Sequence, residues 1–180
     1  KADAQTKKME HLIRDFLNVS RFEEGHINIK QTQFDIVKLI SDCIEDAEIS
    51  SHKHNVVYEG PTSIITEGDE EKITLVLTNL ISNAQKYSPD GGEIKISCTL
   101  IEQKVTVGVK DNGIGITLDN QRNMFQKFFR VENEQTKFIS GFGIGLYLSS
   151  TILKLHNSKL QLESEFGKGS LFYFSLPLSV

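Results

Sequence analysis

The chain of 180 residues is one domain in length, with room for a helical appendage, so a single domain rather than a long multidomain machine is expected. Its 38% hydrophobic and 24% charged residues exclude a disordered or collagen-like chain, and two cysteines, Cys43 and Cys98, with no CxxC or nearby histidine at ligand spacing, exclude a disulfide framework and a structural zinc site. Lysine plus arginine number 20 against 24 aspartates and glutamates, a net charge of -4, so no broad nucleic-acid surface is expected and any polyanionic ligand must be held by local features. No run of about 18 apolar residues and no apolar export core at the N-terminus is present, so a reducing, cytoplasmic setting without a membrane span is expected.

Residues 1–24 carry Met9, Leu12, Ile13, Phe16, Leu17 and Val19 at three-to-four spacing, which predicts an amphipathic helix that must bury its stripe against another helix. Gly25 ends it. Residues 26–30 alternate as a short strand, residues 34–48 predict a second helix through Phe34, Val37, Leu39, Ile40, Ile44 and Ala47, and residues 55–59 read as a strand. Asp69 opens a helix over residues 70–88, with acidic residues at the positive end of its dipole and SPDGG as its stop. EIKISCTLI and KVTVGVKD alternate on either side of Glu102 and Gln103, the pattern of an antiparallel hairpin. Residues 111–143 hold glycines at both ends and no sustained period, and a connection of that length inside a compact domain is usually functional. GIGLYLSSTILKLH then reads as a helix, and KLQLES and SLFYFSLP as strands joined by a turn at Phe166-Gly167-Lys168-Gly169.

Three constellations carry possible chemistry. At 100° per residue, Ile73, Leu77, Leu80, Ile81 and Ala84 form one arc of the helix, and Asn79, Asn83 and Lys86 form a polar stripe beside it. Two carboxamides and an ammonium in a row suit a magnesium ion and the phosphates it bridges, although a solvated helix edge has the same look. Asp111-Asn112-Gly113-Ile114-Gly115 lies where a buried strand stops; its carboxylate can accept from an exocyclic amine and its glycines admit a flat base, unless it is an ordinary turn. Gly141, Gly143 and Gly145 precede a helix and present backbone N–H groups as a phosphate seat. Leu146 stands where the third glycine of a dinucleotide fingerprint belongs, which argues against that motif, and Gly167-Lys168-Gly169-Ser170 reads as a hairpin turn rather than a P-loop. Met124, Phe125, Phe128 and Phe129 can pin a lid or pack the core, while Arg130 reaches a phosphate. His52 and His54 lack metal-ligand partners, and His26 and His156 read as structural.

Taken in order, NLISNAQKYSPDGG, DNGIGI, MFQKFFRV, GFGIGL and FGKGSLFYFSLP resemble the N, G1, F and G2 boxes and closing hairpin of the ATP-binding domain of bacterial sensor histidine kinases, and HLIRDFLNVSRFEEG resembles the second helix of the preceding dimerisation hairpin. The resemblance implies a Bergerat-type two-layer α/β sandwich, a mixed sheet with helices on one face, over residues 34–180, a linker and first strand over 25–33, and the partial hairpin helix over 1–24. It implies ATP and magnesium, with Asn83 as the metal ligand, Asn79 beside it, Lys86 and Arg130 in catalytic roles on the phosphates, and Tyr87 near adenine. Asp111 would recognise the adenine amino group, with Gly113 and Gly115 beside the base. Gly141, Gly143, Gly145, Leu146 and Ser170 would complete the nucleotide site.

The implied activity is transfer of the γ-phosphoryl group to a histidine and later to an aspartate on a response regulator. The implied partners are that receiver domain and the phosphoacceptor helix of the same homodimeric kinase, with any membrane contact made by other domains. No acceptor box of the form His-Glu-Leu-Arg-Thr-Pro occurs; His11 is followed by Leu-Ile-Arg-Asp-Phe and reads as a helix-surface residue, so the chain is expected to be a fragment starting after the acceptor helix. Lys72, Leu75 and Phe142 also depart from the usual family residues. The alternatives are a different ATPase switch of the same superfold and a nucleotide-binding module without turnover.

Overall fold

A computed structural model describes residues 28–51, 53–131, 136–137, 139 and 141–179. The helix expected over 1–24, with His11, and the start of the strand expected over 26–30 lie outside the described residues. Residues 28–31 form no strand; the first is β1 (Thr32–Asp35), antiparallel to β3 (Ile65–Gly68), a four-residue element with no sequence signal strong enough to announce it. The displacement has a local cause. Asp35 ends β1 and caps α1 (Ile36–Ser50), its Oδ1 accepting the N–H of Val37 at 2.9 Å and of Ile64 at 3.1 Å, so the strand must lie directly before the helix.

Five strands build the main sheet in the order β2-β4-β5-β7-β6: β2 (His54–Glu59), β4 (Gly92–Ile101), β5 (Lys104–Asp111), β6 (Gln161–Glu165) and β7 (Gly169–Pro177). Only β2 and β4 pair in parallel; the other three ladders are antiparallel, so the sheet is mixed. One face is apolar along most of its length: Ile94, Ile96 and Cys98, then Val105, Val107 and Val109, then Phe172, Phe174 and Leu176 are buried. Their neighbours Lys95, Ser97, Thr106, Tyr173 and Ser175 point to the opposite, partly exposed face. Alternation of this kind means that helices cover one side only, as expected for the two-layer α/β sandwich.

Helix α2 (Glu70–Lys86) supplies the largest part of that cover. Asp69 caps it by accepting the Lys72 N–H at 3.1 Å, Glu70 and Glu71 occupy its first turn and Lys86 its last, all favourable to the helix dipole. Ile73, Val76, Leu77, Leu80, Ile81 and Ala84 are buried, and each of the larger side chains contributes about 1.5–3 kcal/mol on leaving water. A short α3 (Leu118–Gln121) starts the long connection, and α4 (Gly145–Leu155) packs against α2. Two hydrogen bonds tie the pair: Asn79 Nδ2 donates to Ser149 Oγ at 2.8 Å, and the backbone N–H of Asp69 donates to His156 Nε2 at 2.9 Å. His156 Nδ1 lies 2.8 Å from the Ile152 carbonyl, which can only accept, so the buried ring carries its proton on Nδ1. Among the described residues no helix is long and apolar enough to cross a membrane.

Candidate functional site

The stripe on α2 and the end of β5 face one cavity of about 460 Å³. Asn79, Asn83, Lys86 and Tyr87 line it from α2; Asp111 and Gly115 from the end of β5 and the loop after it; Arg130 from the long connection; Gly141, Gly143, Gly145 and Leu146 from the entry to α4; and Ser170 from β7. Twelve of the thirteen residues marked out in the sequence therefore meet in one place. The exception is Gly113, which is absent from the wall. A Cβ there would overlap the Tyr87 carbonyl oxygen and approach Ser88 Oγ to 2.7 Å, so this glycine lets the loop lie directly on the end of α2. The adjacent Ile114 N–H donates to that same Tyr87 carbonyl at 3.0 Å.

Asp111 stands at the last inward position of β5, one step beyond the apolar row Val105, Val107 and Val109. Its Oδ1 accepts the Gly113 N–H at 2.9 Å and the Ser170 N–H at 3.3 Å, while Oδ2 takes no hydrogen bond among the described residues. Burial pushes the Asp111 carboxyl above the usual aspartate range, and the two backbone N–H groups oppose that without cancelling it. Burial likewise pushes the Tyr87 hydroxyl up, with the Arg130 guanidinium pulling it down from nearby.

Other parts of the lining are built to receive charge. The Asn83 side chain makes no hydrogen bond among the described residues, so its carboxamide oxygen is open to a ligand, whereas Asn79 is committed to Ser149. Gly145 packs on the Asn79 side chain so closely that a Cβ there would overlap its carbonyl oxygen, which brings the start of α4 against α2. The long connection is held to that start by the Phe128 N–H donating to the Gly143 carbonyl at 2.9 Å. Phe128 pays a conformational cost for this contact: its φ of 65° is rare for a bulky residue, and its ring is exposed beneath Lys127, 5.3 Å from Nζ to centroid. Arg130 Nη2 donates to the Ile139 carbonyl at 2.7 Å, which restrains the side chain at the cavity.

Apolar lining residues beyond those expected are Ile114, Ile116, Val131, Ile144 and Phe172, together with Met124, Phe129 and Phe142 from the connection. Phe172 was within reach of sequence reasoning, because inward positions of SLFYFSLP follow from its alternation; the wall contributed by Thr136 and Val131 has no periodic signal. Among the described residues no group of three or more histidine, cysteine, aspartate or glutamate side chains forms a metal cage. A hard cation in this cavity would instead be held by the Asn83 oxygen, a ligand's own oxygens and water, the coordination that magnesium tolerates.

Residues 68–180 match the family described as "Histidine kinase-, DNA gyrase B-, and HSP90-like ATPase". The adaptive-response sensory kinase SasA of Thermosynechococcus vestitus is 35% identical over 98% of this chain, and the sensor histidine kinase WalK of Bacillus subtilis is 33% identical over 96% of it. The chain spans 47% and 29% of the lengths of those two proteins. The solved structure of the Acinetobacter baumannii histidine kinase AdeS has the same fold, with a TM-score of 0.78 and 22% identity over 98% of this chain and 82% of that one.

Proposed function

Because this chain belongs to the histidine kinase-, DNA gyrase B- and HSP90-like ATPase family, we propose that it is the ATP-binding catalytic portion of a two-component sensor histidine kinase. In this reading it binds Mg-ATP and donates the γ-phosphoryl group to a histidine on a dimerisation helix, for later relay to an aspartate of a response regulator in the cytoplasm. The observation that carries the reading is the make-up of one cavity: a carboxylate oxygen without a hydrogen bond among the described residues, the Asn83 and Lys86 side chains, and apolar walls all line the same space. That set of surfaces suits an aminopurine base and a metal-bridged triphosphate.

Phosphoryl transfer depends chiefly on placing the reacting groups and neutralising charge. Magnesium, when bound, would neutralise phosphate oxygens, and the Asn83 carboxamide is the side chain placed to hold it. Lys86 lies three residues on, at the dipole-favoured end of α2, and would pair with the phosphates as a point charge. Arg130 would meet them from the connection, and the backbone N–H groups at the entry to α4 would form the remainder of the seat. Tyr87, Gly115, Leu146 and Ile114 would bracket the base, and Asp111 Oδ2 would accept from its amino group.

Asp111→Asn separates recognition from folding. The amide oxygen can keep the Gly113 and Ser170 N–H groups, but the atom facing the cavity becomes a donor. The expected result is a roughly tenfold or greater loss of Mg-ATP affinity by calorimetry. The unliganded chain should melt no lower than wild type at pH 7. The sign follows from the raised carboxyl: folding disfavours the ionised form, this penalty is full above the folded-state titration and is relieved as pH falls through it, and asparagine removes it at every pH. Unchanged affinity would remove Asp111 from the base site.

The activity itself is tested by mixing the chain with γ-labelled ATP and a separate hairpin carrying an acceptor histidine. Acid-labile label on that histidine supports the kinase reading. Steady phosphate release without any acceptor would point to an ATPase switch instead, and nucleotide binding with neither outcome to a module without turnover.

A further inference from the structure

Three polar side chains form a row across the inward face of the sheet: Asp111 on β5, Ser170 opposite it on β7, and Ser164 opposite Ser170 on β6. Each lies one inward step beyond the apolar row Val109, Phe172 and Leu162. Asp111 and Ser170 line the cavity; Ser164 does not, and stands behind Ser170. Its hydroxyl makes three contacts, to the Ile116 N–H at 2.9 Å, to the Gly169 carbonyl at 2.9 Å and to Ser170 Oγ at 3.0 Å.

Proton counting settles the direction of the third. An amide N–H can only donate and a carbonyl can only accept, so Ser164 accepts from Ile116 and spends its one proton on Gly169. The contact with Ser170 then requires Ser170 to donate. With its proton turned toward Ser164, Ser170 Oγ presents lone pairs only, on the position paired across the strands with Asp111, whose Oδ2 takes no hydrogen bond among the described residues. This end of the cavity is therefore acceptor beside acceptor.

We propose that Ser164 is a positioning residue for base selection, holding the Ser170 proton so that the cavity accepts a 6-aminopurine and refuses a 6-oxopurine. An amino group supplies two hydrogens to two acceptors. A 6-oxo group brings a lone pair to a wall with no donor, and a polar group left unpaired in a buried site is the strongest source of discrimination between similar ligands. Releasing the Ser170 proton lets that hydroxyl rotate and donate to the oxo group. The argument rests on the nucleotide-binding reading of the same cavity.

The test is a titration of wild type, Ser164→Ala and Ser164→Thr with ATP and with ITP, its 6-oxo counterpart, in saturating magnesium. Wild type and Ser164→Thr should both prefer ATP. In Ser164→Ala the ATP-over-ITP affinity ratio should fall by roughly 3- to 10-fold, the worth of one released hydrogen bond. Loss of packing alone would weaken both nucleotides together and leave the ratio unmoved, and that outcome overturns the proposal. If the alanine variant does not fold, Ser164→Cys keeps the shape with a much weaker hydrogen-bonding group and should lower the ratio in the same direction; an unchanged ratio there overturns it equally. A wild-type chain that binds neither nucleotide overturns the functional reading itself, a result distinct from an ATP-binding chain whose preference ignores residue 164.

Discussion

Asn83→Ala is expected to abolish magnesium-dependent nucleotide binding, weakening Mg-ATP by at least about 100-fold while leaving the metal-independent component of affinity unchanged. The expectation follows from what Asn83 does in the unliganded protein, which is nothing structural. It lines the cavity from α2, is half-buried, and its side chain makes no hydrogen bond among the described residues. Truncating it leaves no stranded partner, so the melting temperature should stay within about 2 °C of wild type. Asn79 provides the internal control. Its Nδ2 holds Ser149 and its oxygen abuts Gly145, so Asn79→Ala should lower stability as well as affinity by separating α2 from α4. Calorimetry with and without EDTA reads the first effect and thermal melts the second; an Asn83→Ala chain that retains magnesium dependence would remove Asn83 from the metal site.

Gly113→Ala is expected to damage fold and site together. The residue has no positive φ, so the difficulty is purely steric: the new methyl group would be driven into the Tyr87 carbonyl and against Ser88 Oγ. The backbone at the end of α2 cannot yield easily, and Ser88 Oγ is a buried hydroxyl with no hydrogen bond among the described residues. Overpacking of this kind costs about 1–3 kcal/mol, which for a chain of this size lowers the melting temperature by roughly 2–12 °C. Relief requires the loop to rise, which breaks the Ile114 N–H bond to Tyr87 and pulls the Gly113 N–H from Asp111, so nucleotide affinity should fall as well. A variant that melts within 1 °C of wild type would show that the loop does not press on the helix.

The outcome for Gly113 illustrates which parts of the site could be read from sequence. Asn79, Asn83 and Lys86 were legible because helical spacing alone puts them in one line, and the amphipathic arc beside them fixes which way that line faces. Asp111 was legible as the polar terminus of an alternating strand. Gly113 looked like part of a base-binding surface because composition says only that a Cβ is excluded, not what excludes it. KLQLES carries a signal for Ser164 as well: the serine continues the inward row of Leu160 and Leu162, an unusual place for a hydroxyl. The first strand lies later than alternation alone suggests, for a different reason. Residues 26–30 alternate as well as residues 32–35 do, and the choice is made by pairing with β3 and by the Asp35 cap, both long-range or geometric facts. The parallel pairing of β2 with β4 is equally invisible without the helix that joins them.

The histidine at the far end of α4 has a mechanical consequence. With Asp69 bonded to His156 at one point and Asn79 to Ser149 at another, α2 and α4 are riveted twice along their length. Half of the enclosure is thus a fixed jaw, and strain from ligand entry falls on the other half, where Phe128 already stores an unfavourable torsion against Gly143. Amide exchange should accordingly slow on nucleotide addition at Phe128 and hardly change at Leu148 or Leu80; equal slowing in both jaws would mean that the rivets slip.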